Sequence, residues 1–366
     1  MILQQIIDFL ETVAPASYQE NYDNAGLITG SPLWDCSGIL ISLDTTEAVI
    51  REAIQKKCNL VVAHHPIIFS GLKKINGKNY VEKAVITAIK NDIAIYAIHT
   101  NLDNVQHGVN GRIAERLGLT NCAVLQGKPA LLKKLFTFVP FAHAETVRNA
   151  IFEAGGGNVG NYSECSFNTG GDGSFKGGSN TRPFVGERGE RHYEKETRIE
   201  VIFPGYLEQE ILRALTLSHP YEEVAYDLVQ LTNKHASLGA GIVGDLGEPI
   251  EEQSFLKILK ARFNLQVIKH SPLCGKPVKR VACCGGAGSF LITSALAREA
   301  DFFVSSDIKY HEYFDANDRM VIADIGHYES EQFTIDLLHE ILKGKFSNFA
   351  ILKTEVNTNP VNYFLD

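Results

Sequence analysis

The feature that most constrains this chain is the run Asn59-Leu60-Val61-Val62-Ala63-His64-His65-Pro66. Four apolar residues lead straight into two adjacent histidines. The apolar run reads as a fully buried strand. Pro66 ends it and restricts the backbone of His65. Neighbouring side chains of a regular strand point to opposite faces. At the carboxyl end the chain is already bending, so both imidazoles can reach one crevice. That end is where open α/β sheets place their ligands. Two neutral imidazoles there suggest transition-metal ligands. A pair of hydrogen-bonded structural histidines is the competing reading.

Composition narrows the setting. The chain has 366 residues, 45% of them hydrophobic and 21% charged, which fits a soluble globular protein of two or three domains. Its formal charge of −8 counts against a general nucleic-acid footprint. The first residues, with acidic Asp8 and Glu11, lack the basic start and long apolar core of a signal peptide. No apolar run is long enough to span a membrane. The seven cysteines form no CxxC pair, and Cys283 and Cys284 are adjacent, which suits reduced thiols. A cytoplasmic protein without membrane or nucleic-acid partners is expected.

Helical spacing covers residues 3–14, 47–57, 79–90 and 109–117. Strands are expected over 37–44, 59–63 and 94–98, the last ending in His99-Thr100-Asn101-Leu102-Asp103. Alternating strands and helices argue for a mostly parallel sheet. Near Gly127 the pattern changes. Strands at 134–140, 163–168, 196–204 and 223–231 and helices at 144–154 and 207–218 give the order βαββαβ of a ferredoxin-like unit. The glycine-rich stretch 170–189 is expected to be a long, mobile hairpin connection. From about residue 236 the α/β pattern returns, with strands at 281–284, 301–305 and 320–325. The expected organisation is a split α/β core, 1–127 and 236–366, interrupted by an α+β insert at 128–235.

The last of those strands ends in Gly326-His327, and a helix follows. If the helix begins at His327, then His327 and Glu331 lie one turn apart on one face. Three strand ends then bring His64, His65, Asp103, His327 and Glu331 to one edge of a parallel sheet. Three imidazoles and two carboxylates exceed the needs of one tetrahedral zinc. They suit two divalent transition-metal ions bridged by a carboxylate, with zinc expected and manganese, iron, cobalt or nickel compatible with the donors. His99, in a strand that alternates faces, reads as a core histidine. Thr100 and Asn101 could orient the ligands. His311 is a candidate proton carrier, with an exposed helix-start histidine as the alternative. The loop Gly285 to Ser289 reads as a plain turn, since it lacks a phosphate-binding pattern.

The segments VVAHHPIIFSGLKKI, HTNLDN, SDIKYHEYFDAN and ADIGHYESE, in this order, resemble the NGG-interacting-factor-three-like family, whose members also carry the name GTP cyclohydrolase type 2 homologue. NVGNYSECSF and HPYEEVAYDLV resemble the PII-like and CutA-like insert of its longer bacterial members. The resemblance covers essentially the whole chain. It implies a dinuclear metal site at His64, His65, Asp103, His327 and Glu331. It also implies a toroidal homohexamer with its sites facing an internal cavity. Ser306 stands before Asp307 where the family often has glycine, which bears on the loop carrying His311.

Two functions are compatible with these residues. The first is a metal-dependent hydrolase acting on a small molecule, with GTP and opening of its purine ring implied by the resemblance alone. The second is a metal-binding regulatory module whose insert senses a ligand.

Overall fold

Three central strands show why the histidine run sits where it does. Ile39–Ser42, Leu60–Ala63 and Ala94–Ala97 are buried at every position, as strands covered on both faces must be. They pair in parallel, with Ser42 beside Ala63 and Ala63 beside Ala97. The residues that follow are therefore level: Leu43, His64 and Ile98, then Asp44, His65 and His99. The computed structural model describes residues 1–235 and 237–364. It divides into two compact units, one of residues 1–127 and 237–364, the other of residues 128–235.

The larger unit holds two sheets. In the first, the three buried strands are flanked by antiparallel Gly26–Thr29 and by Ile351–Lys353, which returns to lie parallel to Ile39–Ser42. Its connecting helices begin as their sequences specify. Thr46 caps Glu47–Gln55 by accepting from the Val49 amide, and Asn79 caps Tyr80–Lys90 by accepting from Glu82. The second sheet runs Lys269–His270, Val321–Asp324, Phe302–Ser306, Val278–Ala287, Gly239–Ile250, Thr120–Gly127. Its three inner strands from 278 to 324 are parallel and the remaining pairings antiparallel. Thr120–Gly127 and Ile351–Lys353 cross between the halves of the sequence, so neither half closes its own sheet. Leu3, Ile6 and Leu10 of the helix Leu3–Val13 join one apolar core with Tyr96, Phe255, Phe302 and Leu338.

This arrangement corrects one expectation. The strand ends carrying His65 and Asp103 belong to the first sheet, and the strand before His327 belongs to the second. The residues come together from two sheets rather than along one edge. Composition could not show this, because strands of separate parallel sheets look alike in sequence.

The smaller unit has four antiparallel strands in the order Phe167–Lys176, Arg191–Pro204, Leu132–Pro140, Tyr226–Gln230. Numbered along the chain this is 2-3-1-4, the ferredoxin-like arrangement. The helices Ala144–Glu153 and Glu208–Ser218 bury Val147, Ile151, Ile211 and Leu215 with Leu135, Val139, Val201 and Phe203. The glycine-rich stretch is not wholly a connection. Residues 167–176 pair with 191–200, extending a two-stranded ribbon through Gly170, Gly171 and Gly173. A side chain at Gly173 would collide with the Glu196 carboxylate, so glycine there reflects close approach rather than a loop. Among the described residues, no helix is long and apolar enough to cross a membrane.

Gly127 and Gly239 pair directly across an antiparallel ladder. The segment between them leaves and re-enters the larger unit at neighbouring positions, about 5 Å apart. Joining 127 to 239 by a short glycine linker should leave a folded protein that retains its metal-binding residues. Circular dichroism and metal content of the shortened chain check this; an unfolded product would contradict it.

Candidate metal centre

Each histidine of the cluster is held by its Nδ1. His64, fully buried, donates from Nδ1 to the Ile98 carbonyl at 2.9 Å. A carbonyl only accepts, so the Nδ1 proton is fixed and Nε2 presents a lone pair. His65 donates from Nδ1 to Asp44 at 2.8 Å, and His327 to Asp307 at 2.6 Å. Three imidazoles thus turn their Nε2 atoms towards the buried carboxylate of Glu331. This is the support that metal-ligating histidines characteristically receive.

Glu331 lies on the short helix His327–Glu331, so its side chain sits one turn from His327. Its Oε2 is 3.0 Å from His65 Nε2 and 3.2 Å from His327 Nε2. Its Oε1 is 3.9 Å from His64 Nε2, which is 3.6 Å from Asp103 Oδ1. Neighbouring donors of a tetrahedral zinc with bonds of 2.0–2.1 Å stand about 3.3 Å apart. The cluster resolves into two donor sets, His65–His327–Glu331 and His64–Asp103–Glu331, sharing the one carboxylate. His64 Nε2 and Asp103 Oδ1 are shielded from solvent and have no hydrogen-bond partner. Buried polar atoms left in that condition are costly, and a cation between them would satisfy both. All five expected ligand residues therefore meet, and their donor chemistry fits two divalent ions.

Protonation follows the same geometry. Burial lowers the His64 pKa to about 4, so this ring is neutral. Burial alone would also lower His65, but its hydrogen bonds to Asp44 and Glu331 outweigh it and raise the pKa to about 10. For His327, Glu331 and Asp307 likewise outweigh burial, and the pKa rises to about 9. Burial and the nearby Glu331 charge raise Asp103 well above the usual carboxylate range. Burial opposes ionisation of Glu331, yet His327 and His65 hold its pKa well below that range.

Of the groups that support the cluster, Thr100 and Asn101 were expected from the sequence, whereas His99, Asp23 and Asn110 were not. His99 is not a core residue. Its ring stands 5.2 Å from His64 and 5.3 Å from His65, on the cavity wall. Its Nδ1 donates to Asp23 at 2.7 Å, and the Thr100 amide donates to the same carboxylate. Burial opposes ionisation of Asp23, yet bonds from His99 and Thr100 lower its pKa to about 2. With His64 and His65, His99 forms a third set of possible donors. Asn101 orders this turn by accepting from the His99 amide and donating to the Ala14 carbonyl. Asn110 ties the two sheets by donating to the Asp103 carbonyl and accepting from the Gly285 amide.

Nor is Gly285 to Ser289 a plain turn. Gly285 and Gly286 end the strand Val278–Ala287. Gly286, at φ +61°, lies so close that a β-carbon would press on Glu331 Oε1 and on the His327 ring. His311 is not brought to the cluster. It is exposed, with its ring beside Tyr310 and Phe314, and it does not line the cavity.

The cluster forms the floor of a cavity of about 1190 Å³. Its walls include Tyr22, Phe69, Phe290, Tyr328 and Tyr363. Such a volume admits a small molecule beside the cluster.

The model of the Duf34/NIF3 (NGG1p interacting factor 3) family matches residues 1–360. The chain belongs to that family. Relatives in the family include proteins called GTP cyclohydrolase 1 type 2 homolog. The one from Halalkalibacterium halodurans is 36% identical, and the one from Bacillus subtilis is also 36% identical; each match covers 98% of both chains. Among solved structures, a Bacillus cereus protein related to NIF3 superposes with a TM-score of 0.84 at 36% identity, covering all of this chain and 99% of the other. A solved structure of a Staphylococcus aureus protein gives 0.80 at 27% identity, with the same coverage.

Two outcomes are expected of the cluster. A histidine bound through Nε2 cannot keep a proton there, so protons compete with metal at His65 and His327. Loading at pH 7 should release one proton from each, and affinity should rise with pH until about 9 to 10. Calorimetry in buffers of different ionisation enthalpy measures this; pH-independent affinity would contradict it. Gly286→Ala, which alters no donor, should lower metal affinity roughly 10–100-fold. Equilibrium dialysis checks it.

Proposed function

We propose that this chain is a dinuclear metal-dependent hydrolase acting on a small molecule. The observation that carries the proposal is the facing pair His64 Nε2 and Asp103 Oδ1, buried without partners, on the far side of Glu331 from His65 and His327. His65, His327 and Glu331 would hold one ion; His64, Asp103 and Glu331 would hold the other. Mixed nitrogen and oxygen donors suit zinc, our proposed ion. Two divalent ions there supply Lewis-acid polarisation of a substrate and activation of water at neutral pH.

The protein groups supply the rest. Asp44, Asp307 and the Ile98 carbonyl hold the imidazoles in one tautomer. The aromatic walls offer apolar surface to a bound molecule. Within one chain, the imidazole placed to carry a proton beside the cluster is His99, with Asp23 fixing its orientation, and not His311. The name shared by the relatives makes GTP the first substrate to test. We extend the proposal to assembly as a homohexamer, which the family resemblance implies and light scattering on the purified protein tests for oligomer size, and to a cytoplasmic location, which the unpaired cysteines support.

Zinc-loaded protein incubated with GTP should change the purine absorbance and release formate without phosphate. Phosphate without formate would redirect the reading to phosphoryl chemistry, and silence in every channel would remove GTP as substrate. With whichever substrate is turned over, His99→Ala should lower kcat by roughly 10²–10⁴ and leave both metals bound. His311→Ala should change neither. Unaltered turnover in the His99 variant would remove it from the mechanism.

A further inference from the structure

The edge strand Ile351–Lys353 continues into an extended segment that crosses the mouth of the metal cluster. Its course is anchored first on the helix Glu47–Gln55, where the Glu52 carboxylate accepts from the Glu355 amide at 2.9 Å and from the Thr354 hydroxyl. Two adjacent residues then reach in different directions. Thr358 donates its hydroxyl to Asp44 Oδ2 at 2.6 Å. Asp44 uses its other oxygen, Oδ1, to hold His65 Nδ1. Asn359 donates from Nδ2 to Glu329 Oε1 at 3.1 Å. Glu329 sits on the five-residue helix His327–Glu331, between the two ligands that this helix carries. The Tyr363 hydroxyl lies beside the same carboxylate.

The two contacts converge on one donor set. Asp44 orients His65 from the first sheet, and Glu329 belongs to the element that delivers His327 and Glu331 from the second. These three residues form the set His65–His327–Glu331. The other set shares Glu331 with this one but takes its remaining two donors from elements the segment does not touch. His64 is held by the Ile98 carbonyl, and the Asp103 turn is held by Asn110. Thr358 and Asn359 are half-buried and, with Pro360 and Val361, line the cavity.

We propose that Thr358 and Asn359 are positioning residues that clamp the two halves of one metal subsite, His65 from one sheet and His327 with Glu331 from the other, Thr358 acting on that subsite alone and Asn359 reaching the His64–Asp103 subsite only through the shared Glu331. This rests on the dinuclear reading above. A hydroxyl on Asp44 fixes which carboxylate oxygen faces His65, and so fixes the direction of the ring. A carboxamide on Glu329 fixes the rotation of a helix too short to be rigid alone. Because the two anchors are neighbours in sequence, the distance between the halves is set by one stretch of backbone. The metal-ligand groups need this support, since misdirected donors lose affinity roughly 10–100-fold.

The test uses the full-length protein, stripped with chelator and titrated with cobalt(II) alone, followed by calorimetry and visible absorption. Wild type should bind two ions per chain. Thr358→Val should weaken one of them roughly tenfold or more and shift the visible bands of that ion, while the other binds as before. Thr358→Ser, which restores the hydroxyl, should recover wild-type behaviour. Asn359→Leu should weaken the same ion from the opposite side, through His327 and Glu331, and the second ion less, because it shares only Glu331. Retention of both ions with unchanged affinity and spectrum in Thr358→Val and Asn359→Leu would overturn the clamp. Loss of both ions in Thr358→Val would assign the segment a general structural role and overturn it as well. A wild-type chain that binds no cobalt would instead overturn the dinuclear reading itself.

Discussion

The structure depends on one buried carboxylate. Glu331 is almost fully removed from water, and an isolated charge in that position would be strongly unfavourable. His65 and His327 share the burden as donors, and each is held from behind by a carboxylate. Remove Glu331 and these two rings face one another with no common acceptor. Remove the rings and the carboxylate has no reason to ionise. The cluster is therefore cooperative, and its members are useful only as a group.

That requirement explains the architecture around it. Parallel strands deliver loops to one end, and the level register of Ile39–Ser42, Leu60–Ala63 and Ala94–Ala97 sets Asp44, His65 and His99 side by side. A single sheet would offer donors from one direction only. The second sheet brings His327 and Glu331 against them, and Gly286 lets the backbone come close enough for Glu331 to enter. Exchange of edge strands between the halves of the sequence holds the two sheets to one core. The smaller unit contributes none of these donors and encloses an apolar core of its own.

Much of this was legible in the sequence where the signal was local. An apolar run ending in His64-His65-Pro66, and a histidine and glutamate four apart at a strand-to-helix junction, announce themselves by spacing. The ferredoxin-like order of the smaller unit could be counted from alternating strands and helices. What could not be read was pairing at long range. Asp23 supports His99 across 76 residues, and Thr358 supports Asp44 across 314. Asn110 reaches Gly285 across 175. No periodicity reports such contacts, so His99 looked like core and Gly285 to Ser289 like a turn. The division into two sheets was hidden for the same reason. The ribbon through Gly170 to Lys176 was masked by composition, because glycines inside a strand look the same as glycines in a loop.

The central claim is that the Glu331 carboxylate bridges two metal subsites. Anomalous diffraction from crystals of the zinc-loaded protein, collected on both sides of the zinc absorption edge, tests it most directly. Two peaks per chain should flank the Glu331 carboxylate, one within bonding distance of His65 and His327, the other of His64 and Asp103. A single peak, or peaks that leave Glu331 outside bonding distance of either ion, would contradict the account.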